Sequence, residues 1–161
     1  MKYYYLLIAL FVITNNAISQ TSGYIKMTTE CLGSELDGSV TLKSWGSGRN
    51  NKDAVEQAMK NAVNEVIFNG IKDGEGSCPR SPIIVDQNIQ KKNEEYFAVF
   101  FADGGAYKEF VSLKDEKISH KFKRDKKKRD VSITESAVVR VNRLMIKKKL
   151  VNDKIISNYR E

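Results

Sequence analysis

Apolar and polar positions along this chain change their period several times, and each change marks an element. Residues 24–31 and 38–45 alternate in steps of two, with Val40 and Leu42 on one side and Thr41 and Lys43 on the other. That is the pattern of half-buried strands. Residues 33–38, ending in Asp37-Gly38, predict the hairpin turn between them. Gly46-Ser47-Gly48-Arg49-Asn50-Asn51 then reads as a loop. From 52 to 69 the period becomes helical: Ala54, Ala58 and Ala62 recur at i, i+4 and i+8, and Val55, Val63, Val66 and Ile67 widen the stripe. Asn50 or Asn51 is placed to cap this helix, Asp53 and Glu56 suit the positive end of its dipole, and Gly70 is placed to end it. Small residues along the stripe let the backbone come close to a sheet, so the stripe is expected to be core.

Residues 72–88 are rich in Gly, Pro, Ser, Asp and Asn and predict a long connection tethered by Cys78. Tyr96-Phe97-Ala98-Val99-Phe100-Phe101 fits either a buried strand or a short helix starting near Lys92, and Asp103-Gly104-Gly105 stops it in both cases. Tyr107, Phe110 and Val111 lead into a further element, residues 116–122 look extended, and 132–141 form a strand carrying Ile133, Val138, Val139 and Val141. Asn142 caps a last helix over 143–151, expected to turn Leu144 and Val151 inward, with Ile155 and Ile156 packing after it. Hairpins separated by helices predict one α+β domain: a mostly antiparallel sheet of about four strands with two to three helices on one face.

The N-terminus adds a compartment. Lys2, the apolar run over residues 6–13 and the small residues of Ala17-Ile18-Ser19 have the order of a signal peptide over residues 1–19, leaving a domain over 20–161. Polar Thr14-Asn15-Asn16 ends the apolar run well short of the ~20 residues that cross a bilayer, so no transmembrane segment is expected in the mature chain. The expected location is the periplasm, the outer-membrane surface or the exterior. In such a compartment Cys31 and Cys78 predict one disulfide.

The stretch Trp45-Gly46-Ser47-Gly48-Arg49-Asn50, the helix from Asp53 through Asn61-Ala62-Val63, and Phe68-Asn69-Gly70-Ile71 resemble a group of small uncharacterised exported proteins of Gram-negative anaerobes. Tyr96-Phe97, Phe100-Phe101-Ala102-Asp103-Gly104-Gly105-Ala106-Tyr107, Phe110-Val111 and residues 139–150 extend the likeness. The glycine-rich turn, alanine-striped helix and strand–helix ending are also similar to envelope domains of flagellar and curli-secretion accessory proteins. The resemblance implies an α+β envelope domain with no assigned chemistry, and a likeness of fold confers no function.

Charge narrows the picture further. The chain has 27 Lys+Arg against 20 Asp+Glu, a formal net charge of +7. The excess is concentrated: Lys121, Lys123, Arg124, Lys126, Lys127, Lys128 and Arg129 are countered within 121–129 by Asp125 alone. So dense a run repels itself and predicts a protruding loop. On an exported protein its expected partner is an anionic envelope surface or an acidic protein, and not nucleic acid. Gly46, Gly48 and Arg49 before a helix have the ingredients of an anion-holding loop. They match neither the phosphate-loop nor the dinucleotide pattern, and a tight strand-to-helix turn explains both glycines. One His and two Cys exclude a multi-ligand zinc module, and no metal or cofactor is expected. A small hydrolase built in space around His120 or Ser47 is an alternative, although no Gly-x-Ser-x-Gly elbow is present. A subunit of an envelope or secretion assembly is another. The leading expectation is a non-enzymatic binding or scaffolding protein.

Overall fold

The computed structural model describes residues 27–114 and 133–157. Its centre is strand β2 (Ser39–Gly48), paired antiparallel along its whole length with β5 (Ile133–Asn142), from Ser39 opposite Asn142 to Gly48 opposite Ile133. On β2 the apolar side is buried as expected, but the other side is not exposed, since Ser39 and Thr41 are buried as well. Val40 and Leu42 stand beside Val141 and Val139 in the core, each at most 1 % exposed. Strand β1 (Glu30–Ser34) pairs antiparallel with β2, and β4 (Val111–Leu113) with the C-terminal end of β5, from Val111 opposite Val141 to Leu113 opposite Val139. The hairpin turn is tighter than the sequence suggests: Gly33 stays in β1 at an irregularity, and the reversal is made by Glu35-Leu36-Asp37-Gly38.

A fifth strand, β3 (Asp73–Gly74), runs parallel to β1, so the sheet is mixed, in the order β3-β1-β2-β5-β4. The connection over 72–88 is therefore not wholly irregular, and the expected four antiparallel strands become five. Two residues have no period to read. What places them is Gly74, at φ 100°, where a Cβ would lie 2.2 Å from the Cys31 carbonyl oxygen.

Helix α1 (Asn51–Asn64) is capped as its sequence predicts, Asn50 Oδ1 accepting from the Asp53 N–H at 3.0 Å. Ala54, Ala58, Ala62 and Val63 are fully buried against the sheet. The helix continues as a π-helical turn (Glu65–Asn69), closed by the Gly70 N–H donating to the Glu65 carbonyl at 2.7 Å, with Gly70 at φ 72°. Three further helices follow: α2 (Gln87–Lys92), α3 (Glu94–Phe100) and α4 (Arg143–Asn152), with a 3-10 turn (Ala106–Phe110) between α3 and β4. The ambiguous aromatic stretch is thus a helix. Phe97 and Phe100, three residues apart, are buried and Val99 is 73 % exposed.

α4 corrects an inward face. Ile146 and Leu150 are buried, Val151 is half-buried and Leu144 is 46 % exposed. The pairs 144/151 and 146/150 both fit a helical period, but they lie on nearly opposite faces, since two residues turn a helix by about 200°. Period alone cannot choose between them; the direction in which β5 delivers the chain does. Ile155 and Ile156 do pack against the core, their N–H groups both donating to the Leu150 carbonyl.

Glu135 is the exception in the core-facing file of β5. It lies opposite Gly46, is wholly buried, and neither carboxylate oxygen accepts a hydrogen bond. Burial of an unpaired carboxylate costs stability, and nothing in the alternation of β5 warns of it.

At the other end of the sheet Glu35 ties the β1–β2 turn to β4 and β5. Its Oε1 lies 2.8 Å from Lys114 Nζ and 3.2 Å from Arg140 Nη2, and it accepts from Thr41 Oγ1 at 3.1 Å. Lys114 first, then Arg140 and Thr41, hold its carboxyl at about 2 instead of 4.5. A carboxyl held below its unfolded value favours the fold above that value and loses the contribution as pH falls through the folded one. Wild type should therefore unfold at higher urea than Glu35→Gln above pH 4.5, and the gap should close as pH approaches 2. A gap that stays constant across this window would show that the contact does not depend on the charge of Glu35.

Candidate functional site

The glycines ahead of α1 belong to β2, not to a loop. Gly46 and Gly48 are in register with Glu135 and Ile133, and the helix passes directly over them. A Cβ on Gly46 would stand 2.2 Å from both the Ala54 carbonyl oxygen and the Ala58 nitrogen, and one on Gly48 would stand 2.5 Å from the Ala54 nitrogen. Packing of helix on sheet accounts for both glycines. Arg49 follows them with its side chain 93 % exposed, its Nε donating to Asp53 Oδ2 at 3.2 Å.

The basic residues Lys121, Lys123, Arg124, Lys126, Lys127, Lys128 and Arg129, and His120, lie outside the described residues, as does the expected signal peptide. Ile133, the first described residue after them, is paired with Gly48.

Ser47 is exposed and shares a hydrogen bond with the Thr134 hydroxyl at 2.8 Å. It borders a hollow of about 380 Å³ with Arg49, Asp53, Lys60, Asp103 and Lys108. Charges there are matched in pairs: Lys60 with Asp103 at 2.6 Å, and Lys108 with Glu56 at 2.7 Å, the latter also accepting from the buried Tyr107 hydroxyl at 3.0 Å. Lys108 holds the Glu56 carboxyl below its usual range, Lys60 does the same for Asp103, and burial, then the bond to Glu56, pushes the Tyr107 phenol up. Each shift fixes the group in the state it already has at neutral pH. Among the described residues, the charges of the hollow are closed into ion pairs.

A larger cleft, of about 530 Å³, opens at the other end of α1. Its floor is the π-helical turn, and its walls are the lead-in to β1 (Thr28, Thr29) and the approach to β3 (Lys72, Asp73), with Gln87 at the rim. Along α1 the lining is a file of amides. Gln57 Nε2 donates to Asn61 Oδ1 at 2.9 Å, Asn61 Nδ2 donates to the Trp45 carbonyl at 2.7 Å, and Asn69 Nδ2 donates to Glu65 Oε1 at 3.1 Å. Asn64 lies between them and also lines the cleft.

The turn is held open from behind. A π-helix leaves its last carbonyls without the usual partners, and here Ile83 and Ile84 supply them, their N–H groups donating to Val66 at 3.1 Å and Ile67 at 2.8 Å. The loop that brings Ile83 and Ile84 there starts at Cys78, which is bonded to Cys31 with their Cα atoms 6.2 Å apart, both residues buried. The disulfide expected from the sequence thus fixes a wall of the cleft.

The sequence does not single out this cleft, since its residues come from four separate stretches, around 27–29, 45, 61–73 and 87. One weak signal is present: Asn61 and Asn64 sit within a helix, where asparagine is less favourable than the Ala, Met, Lys and Gln residues around it. Residues that break a local rule without a local reason gather at functional sites. Among the described residues no helix is long and apolar enough to cross a membrane, and no three His, Cys, Asp or Glu side chains are grouped to hold a metal ion. Comparisons with protein-family models, with curated proteins and with solved structures find no match to this chain.

Proposed function

We propose that the protein is a non-enzymatic exported module of the cell envelope that binds an anionic surface through its basic segment, residues 121–129. The observation that carries this reading is where the charge lies. Residues 20–113 hold 10 basic and 13 acidic side chains, whereas 114–161 hold 16 and 7. The buried Cys31–Cys78 bond is compatible with the oxidising compartment that the signal-like N-terminus implies. The resemblance to exported envelope proteins points the same way.

Partition onto phosphatidylglycerol vesicles tests the proposal. Each Lys or Arg close to an anionic surface contributes about 1 kcal/mol. Changing Lys126, Lys127 and Lys128 together to Ser should therefore weaken partition by about two orders of magnitude at low salt. Partition of the wild type should also fall steeply as salt rises, because screening shortens the reach of the charges. Equal and salt-independent partition of the two proteins would refute the electrostatic contact. Binding of an acidic protein with no binding to vesicles would assign the segment to a different partner.

A further inference from the structure

The cleft at the π-helical end of α1 is independent of the basic segment, and we propose that it binds a neutral oligosaccharide. Its volume, about 530 Å³, lies within the range of roughly 300–1,000 Å³ typical of small-ligand clefts. Its lining is unlike that of a site for an apolar molecule. Asn61, Asn64, Asn69 and Gln87 each carry an amide that offers donors and an acceptor side by side, and Thr28 and Thr29 add hydroxyls. A sugar presents hydroxyls that donate and accept from adjacent carbons, and amides at fixed spacing match it.

Three observations favour this ligand over others. First, two of the four amides are already oriented, Asn61 by the Gln57–Asn61–Trp45 chain and Asn69 by its bond to Glu65, so less side-chain entropy remains to be lost on binding. Second, the Thr28 hydroxyl oxygen at the wall has no hydrogen-bond partner among the described residues. Third, the charged side chains at the cleft are Glu65 and Asp73 against Lys72, a balance that repels anions. An extended peptide is disfavoured for a separate reason. Peptides commonly add to a free sheet edge, whereas Glu30 and Cys31 are paired on both sides, with β2 and with β3, and the edge strand β3 offers only the two residues Asp73 and Gly74.

The test is a titration of the disulfide-bonded protein with maltotriose and, separately, with triacetylchitotriose, followed by amide chemical shifts. Saturable shifts confined to residues 28–29, 61–73 and 87 are expected, with a Kd in about the micromolar to millimolar range usual for weak ligands. Asn64→Ala should weaken binding about tenfold while leaving the melting temperature unchanged or higher, because alanine is the better helix former. Gln87→Ala, at the exposed start of α2, should weaken binding with no change in the helix below the cleft. Response to one sugar and not the other would identify the ring substituents the amides read. The proposal is overturned if neither sugar gives saturable shifts at about 10 mM. Equal binding by wild type and both variants, or saturation of the same amides by trialanine and not by the sugars, would also overturn it.

Discussion

Gly46→Ala is expected to cost about 3 kcal/mol or more, the upper part of the range for overfilling a packed interior. The added carbon would meet the Ala54 carbonyl oxygen and the Ala58 nitrogen at 2.2 Å and the Gln57 carbonyl carbon at 2.8 Å. All three are backbone atoms, so no rotamer change relieves the contact. α1 has to lift away from β2, and lifting it strips contacts from Ala58, Ala62 and Val63, which are fully buried beneath it. Gly76→Ala is the control, since a Cβ there has nothing within 4 Å, and its change should stay within about 0.5 kcal/mol. Urea unfolding of the two variants and wild type reads the difference directly. If Gly46→Ala unfolds within about 0.5 kcal/mol of wild type, the close crossing of α1 over β2 is wrong.

The same crossing explains which parts of the fold were legible in the sequence. Gly46 and Gly48 on β2 read as a strand-to-helix loop until the helix is laid over them, whereas the alanine stripe they answer is visible in a single stretch of chain as a face built for close approach. The Asn50 cap, the Gly70 stop and the Asn142 cap were legible for the same reason, being contacts within three to five residues. What required the fold was phase and partnership. The inward face of α4 depends on how β5 enters it, and β3 depends on Gly74 reaching Cys31. The cleft is the extreme case. Thr28, Asn64 and Gln87 are far apart in sequence and meet only because a π-helical turn widens the end of α1 while Ile83 and Ile84 occupy its carbonyls. No local pattern announces a π-helical turn. The file of asparagines hinted at a role, but not at its location.

Loss of the Cys31–Cys78 bond is expected to destabilise the protein by about 4 kcal/mol, from the entropy an unfolded chain regains when a loop of about 48 residues is released. The Cys31→Ala, Cys78→Ala pair is the suitable variant, because serine would bury two hydroxyls where the cysteines are 2 % and 4 % exposed. Such a loss is a large share of the ~5–15 kcal/mol that holds most domains folded. Two features separate this origin from a simple packing defect. The dependence of unfolding on urea should steepen, since an unlinked chain exposes more surface when it unfolds. Amide exchange should also rise first at Glu75, Ile83 and Ile84, whose N–H groups donate to Cys31, Val66 and Ile67 along the stapled path. Exchange that rises evenly over β2 and β5 instead would place the effect in the central sheet, and a loss under about 1 kcal/mol would make the staple dispensable. A protein that needs this bond to keep β3 and the floor of its cleft in place holds its shape only where thiols stay oxidised. The disulfide therefore ties the geometry of the cleft to oxidising surroundings, with which the proposed export of the protein is compatible.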